Sequence, residues 1–485
     1  MSVSRTEMPC RITLAGEKRK YPLLQVFAVS LEDRTRSVRK RKQKLNILIF
    51  NGFKERVQSM RGGSPPEVRS RIMGFEYAKR LSPLYIATLF VRTSWGIGSV
   101  VLYYYLGVPD ETSWFLYGII VAASPAAELV TVSPAGLYID RHGRRHILIL
   151  GLGLGALSLF LFTLTKNPYW AFGVNMIHGV ASAFILVSSL ALMGDNVHQE
   201  TRGREMGVFD AMNMFGWIMG FALGFALSEF FKPFYAGGLI VAGGILLTGF
   251  LYAWVYLAES EVRRQTHLPI TAILTIMKRK SILLLILPWF ILYIVIGAIL
   301  AFLPEGQKIV ALPPYLFAAG VFGAGVALMI SQISYGKKSD KYGRGPIMLV
   351  GAVGLTGLMT LFGVAILSVP AGTPRDQMMS YIIEELKKYW PVILIFGACA
   401  LAFGPSALAS LVDNADEDKR GTTMAIYSFV ITLGMTIGPV VVGWLWERVG
   451  PVGVMGFVIL MGACMLVLTL LKYQSDRSKN QIEKV

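Results

Sequence analysis

Cysteine is nearly absent. Cys10, Cys399 and Cys464 are the three in 485 residues, far apart and without metal-ligand spacing. That pattern implies no disulfide framework. Charge is scarce too: Asp, Glu, Lys and Arg make up 16%, against about 25% in an ordinary soluble domain. No nucleophile–base set, metal cluster or phosphate loop is recognisable, so neither enzyme activity, a metal nor a cofactor is expected. Gly151 and Gly155, with Gly153 between them, superficially suggest a nucleotide loop. They lie inside an apolar run without the strand–turn–helix context and read as helix packing. The first residues lack the basic region, apolar stretch and cleavage site of a signal peptide, so the first apolar helix is expected to serve as the insertion signal.

What is abundant is apolar. The chain is 54% hydrophobic, contains 50 glycines and has a mean hydropathy of +0.54. Many glycines in so apolar a chain suit closely packed membrane helices. The net charge of +17 could suit nucleic acid, but the apolar runs make a bilayer the better partner, and no nucleic acid is expected.

Residues 1–81 stand apart. The first 80 hold nineteen Lys or Arg, including Arg39, Lys40, Arg41 and Lys42, and no run long enough to span a bilayer. They read as a largely disordered basic cytoplasmic extension drawn to anionic lipid. Segments 21–31 and 45–53 form no convincing strand or helix pattern. Met60 and Met73 are alternative starts before the first span.

Twelve apolar runs of about twenty residues, the length a bilayer requires, follow: 82–107, 113–138, 146–165, 168–195, 204–230, 233–258, 281–304, 311–335, 346–369, 390–413, 421–447 and 450–472. They group into an N-terminal bundle (82–258) and a C-terminal bundle (281–472), joined by a polar linker (259–280) and followed by a tail (473–485). One set of alternate loops holds seven Lys or Arg: Lys166, Lys232, Lys308, Arg375, Lys387, Lys388 and Arg448. The other set is richer, which places both termini in the cytoplasm. In the long loop 370–389, Met378, Met379, Ile382, Ile383, Leu386 and Tyr389 recur at helical spacing and predict a short surface helix.

One stretch is written twice. Gly136, Asp140, Arg141, Gly143, Arg144 and Arg145 recur two hundred positions on as Gly336, Asp340, Lys341, Gly343 and Arg344. Each copy is a tight charged turn between apolar runs. Asp195 and Arg202 likewise recur as Asp413 and Arg420, Gly216 and Gly220 as Gly434 and Gly438, and Pro233 as Pro451, at an offset of 218. The longer loop before Tyr389 accounts for the growth. Two parallel six-helix repeats place a binding site between halves near the midplane.

The doubled turn resembles the signature loop of the major facilitator superfamily of secondary transporters, over roughly the last four hundred residues. The resemblance implies an all-α membrane protein of two pseudo-symmetric six-helix bundles. It also implies that Asp140 and Asp340 dock against helix N-termini of the opposite bundle, at 421–423 and 203–205, and so close the cytoplasmic side. Arg144 and Arg344 are near enough to pair with these carboxylates. In proton-driven drug exporters of this family, span 5 carries a Gly-Pro; here Phe221 follows Gly220, and Gly438 with Pro439 stands in span 11. Where many exporters have Arg-x-x-Gln-Gly in span 4, this chain has Asn175, His178 and Gly179. Gly216, Gly220, Gly224, Gly434 and Gly438 read as helix-packing positions.

Arg92 lies about 15 Å deep in span 1 at 1.5 Å per residue, with Glu128 at similar depth in span 2. His178 and the shallower Asp210 also interrupt apolar sequence. Intramembrane charges are expensive and usually pair or face a cavity. Two readings stand: an Arg92–Glu128 structural ion pair with His178 nearby, or a substrate and proton site. In the second, Glu128 or Asp210 carries the proton and Arg92 tunes it or holds an anionic group. At offsets of 200 and 218, the other bundle has Leu292, Leu328, Phe396 and Ser428. The expectation is a proton-coupled transporter of a small organic solute at the cell membrane, acting as a monomer. A uniporter and a non-transporting receptor are the alternatives.

Overall fold

The computed structural model describes residues 66–196, 202–259, 280–310, 312–370, 373, 375–413 and 420–482. The 21–31 and 45–53 segments and nearly all of the 259–280 linker lie outside them. The chain divides into two units, Met1–Gly74 and Phe75–Val485. In the first, the described residues are the opening turns of a helix; everything below concerns the second.

Fourteen helices follow one another among the described residues. In the first half they are α1 (Pro66–Tyr105), α2 (Trp114–His142), α3 (Arg144–Phe162), α4 (Pro168–Asn196), α5 (Arg202–Phe230) and α6 (Ala236–Tyr256). The second half has α7 (Lys280–Val310), α8 (Pro314–Tyr342), α9 (Arg344–Leu367), α10 (Arg375–Lys388), α11 (Trp390–Ala400), α12 (Phe403–Asp413), α13 (Arg420–Arg448) and α14 (Pro451–Ile482). Twelve stretches are long and apolar enough to cross a bilayer. A helix satisfies its backbone internally, as lipid demands. The spans match the expected runs to within a few residues at most ends, but α8 continues to Tyr342 and α14 beyond Lys472.

Two departures have local causes. Span 10 is broken at Leu401–Ala402 into α11 and α12, although its counterpart α4 is continuous. Pro405 has no N–H for the Leu401 carbonyl, and its ring crowds that carbonyl. The predicted surface helix is α10. Its Ile382 is buried in a cluster with Ala365 and Ile366 of α9, with Leu386 packed alongside.

Glycines set the crossings. A Cβ on Gly220 would lie 2.5 Å from the Thr93 carbonyl oxygen and 2.9 Å from Gly96 Cα, so α5 meets α1 backbone to backbone. In the other bundle a Cβ on Gly438 would lie 2.1 Å from the Ile294 carbonyl oxygen. Gly216 similarly abuts Arg92, at 2.6 Å from its Cβ, and Gly434 abuts Tyr293, at 2.8 Å. This repetition corrects the register of the first helix in each half. Gly96 corresponds to Gly297, an offset of 201, so the counterpart of Arg92 is Tyr293 and not Leu292.

The bundles meet tightly at the end opposite the signature turns, here the far side. A Cβ on Gly118 of α2 would lie 2.4 Å from the Pro439 carbonyl oxygen on α13, and one on Gly443 would lie 2.5 Å from the Trp114 carbonyl oxygen. The Trp114 ring packs 5.7 Å from Phe302 and 5.1 Å from Trp446. Tyr103 donates to Glu305 Oε2 at 2.5 Å, Tyr104 to Gln307 Oε1 at 2.8 Å, and Lys308 to the Val108 carbonyl at 2.8 Å. These hydrogen bonds and aromatic contacts between bundles all lie in this far half.

Candidate functional site

The two signature turns have one geometry. Gly143 and Gly343 both adopt φ +92°, which disfavours any residue with a Cβ, and each ends one helix and starts the next. The arginine after each glycine reaches an aspartate that the sequence marked only as a repeat landmark. Arg144 Nε is 3.0 Å from Asp195 Oδ2, and Arg344 Nε is 2.8 Å from Asp413 Oδ2. Arg344 also donates to Asp340, as the spacing suggested, and to Ser339 Oγ at 2.8 Å. Asp195 and Asp413 could have been found: their shared offset of 218 says that both copies need the carboxylate.

The pairs differ in burial. Side-chain exposure is 0% and 4% for Arg144 and Asp195, but 28% and 53% for Arg344 and Asp413. Removing one partner of a buried pair costs about 3–5 kcal/mol, whereas an exposed pair contributes about 0–1 kcal/mol. Arg144→Leu should therefore lower the melting temperature far more than Arg344→Leu; equal losses in a denaturation series would contradict this asymmetry.

Arg145 has a role that the repeat lacks. Its Nε and Nη2 donate to the Leu257 and Trp254 carbonyls at 2.7 and 2.6 Å, at the C-terminal end of α6. In return, Glu259 Oε1 accepts from the Arg144 and Arg145 backbone N–H groups at 3.0 and 3.1 Å. A carboxylate at a helix N-terminus and a guanidinium at a C-terminus both complement the dipoles. At the matching position the second half has Gly345.

The expected docking of Asp140 falls on side chains outside the description, as do those of Arg141 and residues 421–423. Asp340 is 64% exposed and, among the described residues, its ion-pair partner is Arg344. Its expected partners include residues 203 and 204, which likewise lie outside the described side chains. Lys341 lies over the Tyr342 ring, 5.3 Å from its centroid. Gly136 starts no turn: both Gly136 and Gly336 lie within helices, one turn or more before the reversal.

The intramembrane polar residues gather in the first bundle. Arg92 does not pair with Glu128. Its Nε donates to Asn213 Oδ1 at 2.7 Å, and its guanidinium lies 5.0 Å from the Trp95 ring centroid and 5.8 Å from that of Trp217. Glu128 instead accepts from Ser182 Oγ at 2.6 Å. Helix packing explains the separation. Gly216 draws Arg92 against α5, while Gly179 draws α4 against α2, where a Cβ would lie 2.1 Å from the Ser124 carbonyl oxygen. Each charged side chain thus finds a polar group on its own neighbour. The structural ion-pair reading is corrected accordingly.

His178 Nδ1 lies 2.8 Å from Ser158 Oγ, and that hydroxyl also lies 2.7 Å from the Gly155 carbonyl. A serine has one proton to give. Both contacts are satisfied when Ser158 donates to the carbonyl and Nδ1–H donates to Ser158, leaving Nε2 an acceptor. The His178 ring packs 4.9 Å from Trp95. Asn175 is buried and donates to the Ile120 carbonyl at 2.5 Å, so it ties α4 to α2. Asp210 is exposed, with no hydrogen-bond or ion-pair partner among the described residues. Trp95, Asn213, Trp217, Ser158 and Ser182 were not singled out in the sequence. The spacings Arg92–Trp95 and Asn213–Trp217, one helical turn each, were the available signal.

Comparisons with known proteins agree with this architecture. The family model for the Major Facilitator Superfamily matches residues 84–383 and 388–484. Multidrug resistance protein 2 of Bacillus subtilis is 23% identical over 359 residues, covering 71% of this chain and 84% of that protein. The proton-coupled antiporter flippase LtaA of Staphylococcus saprophyticus is 22% identical over 358 residues, covering 72% and 83%. A bacterial homologue of the human lysosomal transporter Spinster, solved inward-facing and unoccupied, superposes with a TM-score of 0.61 at 13% identity, covering 86% of this chain and 98% of that one. With the matched family model spanning both bundles, the chain belongs to the major facilitator superfamily and is a multi-pass membrane protein of the secondary-transporter class.

Proposed function

We propose that the protein moves a small organic solute across the cell membrane by alternating access, coupled to protons, as a monomer with both termini in the cytoplasm. The observation that carries this reading is the one-sided contact between bundles: a bonded, close-packed far side, with Asp340 exposed at the signature side. That is what a cytoplasm-open transporter would present. The signature turns are the cytoplasmic gate. Residues 1–81 are a cytoplasmic extension, 82–258 and 281–472 the moving bundles, 259–280 their linker and 473–485 a tail.

Glu128 and Asp210 are the proton carriers, because intramembrane carboxylates without a salt bridge are the usual relays. Arg92, Asn175 and His178 complete the site. The relative named a proton-coupled antiporter supports coupling in this family branch. In proteoliposomes, uptake of a solute identified by thermal-shift screening should follow an imposed pH gradient and collapse with a protonophore. Flux indifferent to the gradient would leave facilitative uniport as the reading.

A further inference from the structure

The polar cluster of the first bundle leaves donors of Arg92 and Trp95 without acceptors among the described residues. Arg92 spends its Nε on Asn213. Its two terminal nitrogens have no hydrogen-bond or ion-pair partner among the described residues. Trp95, only 6% exposed, has its indole Nε1–H buried without an acceptor. The two groups are in contact, with the guanidinium carbon 5.0 Å from the Trp95 ring centroid. Trp217 supplies a second aromatic ring at 5.8 Å. Buried donors are nearly always paired, and one left alone costs free energy. An orphaned indole N–H beside a guanidinium whose terminal nitrogens make no hydrogen bond among the described residues is a place for oxygen atoms that arrive with a ligand.

The carboxylates nearby do not fill that need. Glu128 and Asp210 lie near enough to attract the guanidinium, but neither hydrogen-bonds its terminal nitrogens: Glu128 is held by Ser182, and Asp210 forms no ion pair with Arg92. His178 offers Nε2 as an acceptor in the tautomer derived above, but it bears no negative charge. The counterpart of Arg92 in the other bundle, Tyr293, stacks on Trp289 at 5.6 Å between centroids, so aromatic surface without a fixed charge occupies the matching place there.

We propose that Arg92 and the Trp95 indole N–H bind the anionic head group of the transported solute, with Trp95 and Trp217 carrying its apolar or aromatic body. The substrate class is an organic monoanion: a carboxylate or sulfonate on an aromatic or amphipathic frame. A planar guanidinium fork matches such oxygens bidentately. Small-molecule sites generally combine apolar walls with a few placed polar groups. The inference rests on the transporter reading above and narrows its substrate.

The test uses the purified full-length protein and three probes that share one ring system: naphthoate, naphthamide and naphthylmethylamine. Binding is read by thermal shift and by quenching of tryptophan fluorescence, with inorganic phosphate as a head group lacking a body. Naphthoate should bind at least about tenfold more tightly than the amide or the amine, the scale of a charge-assisted hydrogen bond. Arg92→Gln should abolish that preference, and Arg92→Lys should restore part of it. Trp95→Phe keeps the ring but removes the N–H; it should weaken naphthoate several-fold and leave the amide unchanged. Trp95→Phe also keeps the test decisive should Arg92→Gln fail to fold. A wild-type protein that prefers the amine, ignores naphthoate, or responds equally to phosphate alone overturns the assignment, as does an Arg92→Gln variant that keeps the preference. Gradient-driven flux in a protein that prefers the amine would sink the anion site and leave the transporter reading standing. Anion preference in a protein that shows no flux, with or without a gradient, would do the reverse.

Discussion

Gly118→Val should yield a folded protein that no longer transports. The position has no room for a side chain: a Cβ there would sit 2.4 Å from the Pro439 carbonyl oxygen and 3.0 Å from its carbon. That clash lies between bundles, so each bundle can still fold and the far side alone is wedged open. Overpacking of this kind costs about 1–3 kcal/mol, and at the upper end the closed population falls roughly a hundredfold. A cysteine at Thr112, buried beside the far-side contacts, should become accessible to a membrane-impermeant thiol reagent. Gly220→Val is the contrasting case, because its clash with Thr93 and Gly96 lies inside one bundle. It should be lost at the level of folded protein, seen as a missing monodisperse peak. Should Gly118→Val disappear in the same way, Gly118 serves folding rather than closure.

Glu128→Gln should reduce gradient-driven accumulation about a hundredfold, the scale expected when a proton carrier is removed while binding groups remain. Passive exchange should persist. Asp210→Asn, at an exposed carboxylate, tells whether the second acid titrates in the same step. The geometry also predicts how Arg92 and Glu128 behave together. They have separate partners, Asn213 and Ser182. Because the two charges still attract through space, Arg92→Leu combined with Glu128→Leu should lose somewhat less stability than the sum of the single losses. Rescue of either single variant by the other would instead reveal a direct pair. An accumulating Glu128→Gln protein would remove this residue from the coupling.

Much of the architecture was legible because it was written twice. Gly143 and Gly343 stand at the same offset from their neighbours and adopt the same φ, and the 218 offset placed Gly216 and Gly434 on matching crossings. Periodicity fixed the spans, since a bilayer demands about twenty apolar residues wherever the chain crosses. The break in span 10 was missed because an apolar run carries no mark of helix continuity; Pro405 was the overlooked signal. The site was legible only as a list of ionisable residues. That Arg92 faces Asn213 rather than Glu128 depends on which helix each glycine draws close, and Gly179 and Gly216 look alike in sequence. The one-residue shift that brings Tyr293 opposite Arg92 arises between the first two spans, where no landmark repeats.

Distances between spin labels test most directly whether the bundles rock, far side and signature side opening in turn under the control of the intramembrane carboxylates. With Cys10, Cys399 and Cys464 replaced, one label pair at Asp110 and Leu312 spans the far side, and another at His142 and Tyr342 spans the signature side. Both distributions should hold two populations whose weights change in opposite directions between acidic and alkaline conditions. That shift should vanish in the Glu128→Gln, Asp210→Asn double variant. A single unchanging distance on both sides under every condition, in a protein that still carries solute, would contradict the account.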